Sequence, residues 1–228
     1  MDERDASHGP VDEMGSTSME RLFRMVAASI AWFAIGLQYY LVTHKPDVAI
    51  IEATIRYFSY FTMLSNILVA LAMTLPWLAP NSALAAFFSR PSVRTALATY
   101  IIIVAAIYHV ILRPLWNPQG WQLVADMIEH VATPGLYMVD WLLFVPKGTI
   151  AAKSVLGWLI FPIAYAAYSL IHGAVTGYYP YPFLNVSELG YERVPVNMAA
   201  LAATFAALGL VLVAIDRMLG AEEAPKTG

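Results

Sequence analysis

The chain has 228 residues, 59% hydrophobic and 13% charged, with a formal net charge of −3 and no cysteine; its mean hydropathy is +0.61. A soluble domain is typically about 45–50% apolar and about 25% charged, so lipid is the expected solvent for most of this surface. The lack of cysteine excludes a disulfide framework, a thiolate metal site and a cysteine nucleophile, and no basic run points to nucleic acid.

Residues 1–20, MDERDASHGPVDEMGSTSME, are polar and aperiodic. They read as a disordered tail, and their acidity is wrong for a signal peptide. A spanning helix needs about 20 mostly apolar residues. Six stretches meet that need: Leu22–Val42, Phe58–Leu78, Thr95–Leu112, Trp121–Phe144, Ser154–His172 and Val196–Met218. The expectation is an all-α polytopic membrane protein, with six transmembrane helices filling residues 21–219 and a polar C-terminal tail over 220–228. Proline-marked loops separate the helices, since proline removes a donor and fixes φ. They are THKPD, LAPNS, RPLWNPQG, VPKGT and the longer GYYPYPFLNVSELGYERVP. Pro134 and Pro162 fall inside the fourth and fifth helices, which membrane helices tolerate when neighbours satisfy the freed carbonyls.

Lysine and arginine bias sets orientation. With the N-terminus inside, the cytoplasmic segments hold Arg4, Arg21, Arg24, Arg90, Arg94, Lys147, Lys153, Arg217 and Lys226. The outer loops hold Lys45, Arg56, Arg113 and Arg193, so both termini are expected in the cytoplasm.

Ionisable groups at membrane depth cost a few kcal/mol each and need a reason. The fourth helix carries Gln122, Asp126, Glu129, His130, Thr133, Tyr137 and Asp140 at three- and four-residue steps. That spacing makes one face, which must look into the bundle or a wet cavity. Thr62, Ser65 and Asn66 share a face of the second helix, with Ser59 expected one turn earlier on the same side. His109 and Arg113 end the third helix at an i, i+4 step; His172 ends the fifth, and Gln38 lies near the end of the first. At about 1.5 Å per residue, Thr62 sits about 6 Å and His130 about 13 Å below the outer end. Apart from Asp140, expected near Lys147 or Lys153 at the inner end, these groups converge on an outward-opening polar pocket. The aromatic outer loop, with Tyr181, either caps that pocket or anchors the last two helices at the interface.

No G-x-S-x-G, H-E-x-x-H, P-loop or dinucleotide fingerprint occurs in the sequence. What remains is a hydroxyl, Thr62, and an imidazole, His130, at comparable depth. A threonine hydroxyl needs a base to become a nucleophile, and histidine exchanges a proton near neutrality. Asp126 could orient the ring, and Asn66, a tyrosine or backbone N–H groups could hold an oxyanion. Taken singly, Ser65, Asn66 and Gln38 are as readily packing residues, and Asp126 with Arg113 could be a structural ion pair. Two other readings use the same residues. His109, Asp126, Glu129, His130 and His172 could bind a metal in a metal-dependent lipid hydrolase, or Asp126, Glu129 and His130 could relay protons in a transport protein.

Three segments, YFSYFTMLSNILVALAM, IEHVATPGLYMVDWLLFVPKG and VTGYYPYPFLNVSELGY, resemble the androgen-induced and androgen-dependent TFPI-regulating protein family. The resemblance covers roughly residues 20–218 and suggests a bacterial relative, in a bacterial inner membrane. It implies an intramembrane threonine hydrolase acting on fatty acid esters of hydroxy fatty acids, with Thr62 and His130 essential. It implies no cofactor, and a lipid substrate within the bilayer as partner. Glu129 before the histidine and VATP after it depart from the animal members, so the ester cleaved here could differ.

Overall fold

A computed structural model describes residues 11–46 and 48–223, all helix and loop. Helix α1 runs Val11–Thr43, α2 Ile50–Phe58, α3 Phe61–Leu78, α4 Ala83–Phe88 and α5 Pro91–Ile107. A π-helical turn, Tyr108–Leu112, and a 3₁₀ turn, Arg113–Leu115, prolong α5. Next come α6, Trp121–Met127, a second π-helical turn, Ile128–Ala132, and α7, Thr133–Phe144. The chain ends with α8, Ser154–Trp158, α9, Ile160–Thr176, a 3₁₀ turn, Pro182–Leu184, and α10, Val186–Glu223.

Among the described residues, five helices are long and apolar enough to cross a membrane: Ser18–Thr43, Phe61–Leu78, Pro91–Leu115, Ser154–Thr176 and Val186–Ala221. The sixth expected span, 121–144, is helical throughout as α6, the π turn and α7 but is not among these five. The charges of its polar stripe set it apart.

Several boundaries differ from expectation. The N-terminal tail was expected to be disordered through residue 20, but α1 begins at Val11; residues 1–10 lie outside the described residues. The C-terminal tail was expected from 220, but α10 continues to Glu223, and 224–228 lie outside them. Ser59 belongs to a break between α2 and α3, not to the helix that carries Thr62. Pro91 occupies the first turn of α5, where its missing N–H costs nothing. Half of the long loop joins α10, which is interrupted at Gly190 with φ 74°. Gly177, at φ 73°, ends α9 by donating its N–H to the Gly173 carbonyl at 2.8 Å.

α1 packs against α3, α6 and α7, and α5 against α3, α7 and α10. The main core draws Val69 and Met73 from α3, Ile101 from α5, Trp141 from α7 and Val213 from α10. Ala27, Ala28, Ala31 and Ala34 give α1 a small-residue face that lets neighbouring backbones approach. Asp140, expected near Lys147 or Lys153, instead meets Arg24 of α1 at 2.6 Å and Arg94 of α5 at 2.5 Å, all buried. Lys147 donates to the Trp141 and Val145 carbonyls. Asp216 of α10 ties in the same end of the bundle, accepting from Gly148 N on its carbonyl and from Ile150 N on its side chain.

Candidate functional site

At the other end of the bundle, α1 and the π turn after α5 finish while α3 and α6 begin. A polar chamber of about 340 Å³ opens there, lined by Thr62, Gln38, Tyr108, Asp126, Glu129 and His130, with Lys45 and Arg56 also on its wall. An apolar cavity of about 90 Å³ adjoins it, walled by residues such as Phe61, Ile103, Ala166 and Ala202. Thr62, Leu112 and Tyr181 line both spaces. Thr62 therefore stands where an apolar and a polar compartment meet.

Thr62 lies in the first turn of α3, where unsatisfied N–H groups give the helix end partial positive charge. Its backbone N–H donates to the Tyr181 hydroxyl at 3.2 Å, and its Oγ1 shares a hydrogen bond with the same hydroxyl, also at 3.2 Å. Burial pushes the Tyr181 phenol up to about 12, so near neutral pH it stays protonated and can donate. The loop between α9 and α10 thus brings Tyr181 against Thr62.

His130 sits in the middle of the second π turn. Its Nδ1 is 2.9 Å from the Asp126 carbonyl. A carbonyl can only accept, so Nδ1 carries a proton, and in the neutral ring it is Nε2 that holds the free lone pair. The Asp126 carboxylate lies 3.6 Å from the same Nδ1. Tyr108, first residue of the other π turn, stacks on the imidazole with ring centroids 3.8 Å apart and planes 18° apart. Its hydroxyl donates to Asp126 Oδ2 and accepts from Arg113 Nη1 at 3.3 Å. Arg113 and Asp126, for which a structural ion pair was one alternative, are bridged by Tyr108.

The π turns explain one expectation that failed. In an α-helix His109 and Arg113 share a face. The five-residue turn closes from Arg113 N to the Tyr108 carbonyl, so Tyr108 and Arg113 align and His109 rotates outward. His109 is exposed and bonds only the Ala105 carbonyl, at 2.8 Å. His172 is also away from the chamber, stacked on Tyr168. Among the described residues no group of three or more His, Asp or Glu side chains is arranged to hold a metal ion, so the proposed set of His109, Asp126, Glu129, His130 and His172 does not assemble.

The remaining candidates divide. Gln38 lines the chamber and accepts from Gln122 Nε2 at 2.7 Å. Asn66 is buried and spends its amide on the Thr62 carbonyl at 2.9 Å and the Glu129 carbonyl at 3.4 Å. It ties the threonine's helix to the histidine's turn and has no donor left for an oxyanion. Ser65 is fully buried and lines neither space. Glu129 is 3% exposed, and its Oε1 has no partner among the described residues. Sequence reasoning missed Tyr108; the signal available was an aromatic five residues before Arg113, legible only if the helix widens there. No protein-family model, curated protein or solved structure matches this chain.

Proposed function

We propose that the chain is an integral membrane lipid ester hydrolase with six spanning helices and both termini in the cytoplasm, Thr62 being the nucleophile and His130 the general base. The substrate is an acyl ester of a hydroxy fatty acid or a related lipid ester. The observation that carries this reading is the position of Thr62 at the junction of an apolar and a polar cavity, the second of which holds His130 with its Nδ1 bonded to the Asp126 carbonyl. An acyl ester of a hydroxy fatty acid has a matching division, with plain hydrocarbon on the acyl side of the carbonyl and, on the other, an alcohol that carries a free carboxylate, for which Lys45 and Arg56 stand on the chamber wall. The resemblance of the segments around Thr62 and His130 to a threonine hydrolase family points the same way. The α6–α7 helix is the sixth span, with its charged stripe turned inward as an intramembrane charge requires.

In this mechanism His130 Nε2 takes the Thr62 Oγ1 proton as the oxygen attacks the acyl carbonyl. The tetrahedral oxyanion is held by the Tyr181 hydroxyl and the positive end of α3. Collapse breaks the ester C–O bond, and the departing alcohol takes the proton from His130. Water, activated by the same imidazole, then releases the acid from acyl-Thr62. Tyr108 and Asp126, which share the chamber wall with His130, act through the imidazole; they keep the ring in its Nδ1–H tautomer. Detergent-purified protein given a palmitoyl ester of hydroxystearic acid should release both acids, and a fluorophosphonate probe should map to Thr62. A probe attached elsewhere would remove the nucleophile assignment.

Tyr108→Phe keeps the stacked ring and removes the hydrogen bond to Asp126. The loss of about 1 kcal/mol should lower kcat roughly fivefold with KM unchanged. In ¹⁵N-histidine spectra the His130 signal should move from pure Nδ1–H toward a tautomer mixture. An unchanged tautomer and rate would leave Tyr108 as packing alone.

A further inference from the structure

The apolar cavity is small. At about 90 Å³ it is below the ~150 Å³ of an engineered cavity that binds benzene. It can take only the first few carbons beyond an ester carbonyl at Thr62, so the rest of a long chain must lie outside it. The neighbouring chamber carries Gln38, Lys45, Arg56, Asp126 and Glu129 on its wall, and hydrocarbon laid against them would strip polar groups of their hydration, so the apolar side is the better course for that remainder. The opposite wall of the apolar cavity is built by Ile163 and Ala166 of α9 and by Met198, Leu201 and Ala202 of α10. Ile163 lines the cavity yet is 54% exposed, so the wall there is also the outer surface of the bundle. That surface is hydrocarbon: Ile160, Ile171 and Val175 of α9 and Val196 and Leu210 of α10 are all exposed. Only Pro162, Tyr165, Ser169 and Gly173 of α9 are buried, which leaves this helix at the periphery.

We infer that the apolar cavity communicates with the bilayer between α9 and α10, at Ala166 and Ala202, and that this is a lateral portal through which an acyl chain enters and trails back while its ester carbonyl reaches Thr62. The inference rests on the hydrolase reading for its chemistry, but the portal itself is a lipid-binding site that can be observed without turnover. The two small side chains set its width. Apolar pockets discriminate by bulk, a few carbons changing kcat/KM by about tenfold or more.

Full-length protein with Ala202→Trp, and separately Ala166→Trp, tests it in two arms. In the first, butyryl and palmitoyl esters of one alcohol are compared; the ratio of palmitoyl to butyryl kcat/KM should fall about tenfold in either variant, and an unchanged ratio overturns the portal. In the second, palmitic acid carrying a mid-chain diazirine is photolysed with the protein. Labelled peptides should come from α9 and α10 in the wild type and be lost in Ala202→Trp; labelling confined to other helices overturns the portal. Where a tryptophan variant fails to purify as a monodisperse species, Ala202→Leu and Ala166→Leu are read by the same two arms. A wild type that cleaves neither ester overturns the hydrolase reading, and the photolabel still decides the portal.

Discussion

Thr62→Ala should abolish ester hydrolysis and probe labelling, and His130→Ala should lower kcat by about 10³-fold, the scale of a lost general base. The two effects should not multiply. Nucleophile and base act as one unit, so the double variant should be no slower than Thr62→Ala alone. Thr62→Ser keeps the hydroxyl at the same place on α3 and should retain activity. His130→Gln restores no base and should behave like His130→Ala. Rates on a palmitoyl ester, measured beside thermal unfolding in detergent, check these outcomes. Thr62→Ala with wild-type turnover would sink the nucleophile, and a double variant slower than Thr62→Ala alone would show that the two side chains do not act as one unit. Tyr181→Phe probes the oxyanion contact. It removes one donor and should cost kcat more than KM, because the charge it meets exists only in the transition state.

Much of this geometry is legible in the sequence, and the failures have two causes. The stripe on 121–144 is inward: Asp126, Glu129, His130, Thr133, Tyr137 and Asp140 are all buried. Hydrocarbon leaves such residues no alternative, so simple periodicity finds them. Thr62 and His130 reach one chamber because both lie near the same end of their helices, and counting residues from a helix end gives depth. Periodicity fails where the helix is no longer α. The π turn at Tyr108–Leu112 shifts every later residue by a position, so His109 is lost from the site and Tyr108 gained. The Ser59 error is similar. A break at Ser59 and Tyr60 separates α2 from α3, where an apolar run suggested one continuous helix. Lateral contacts between distant helices were beyond reach as well. Nothing local says that Asp140 meets Arg24 and Arg94, since those pairings depend on which helices become neighbours.

Asp140→Asn should be among the most destabilising single changes in the chain, although it lies at the opposite end from Thr62. Asp140 is fully buried between two guanidiniums drawn from α1 and α5. Among the described residues, removing its charge leaves Arg24 with Glu20 as its carboxylate and leaves buried Arg94 without one. Breaking a buried pair by deleting one partner costs about 3–5 kcal/mol. The expected result is a large drop in midpoint temperature in detergent, accompanied by loss of folded yield. Attraction between opposite charges is only part of what the trio contributes, because each charge was desolvated to be there. Replacing all three together, with Asp140→Leu, Arg24→Met and Arg94→Met, removes the desolvation cost along with the attraction. It should recover most of the stability that Asp140→Asn loses. A triple variant as unstable as the single one would mean that the ion pairs themselves hold α1, α5 and α7 together. Recovery would mean that the pairs fix which helices are neighbours while the apolar core supplies the stability.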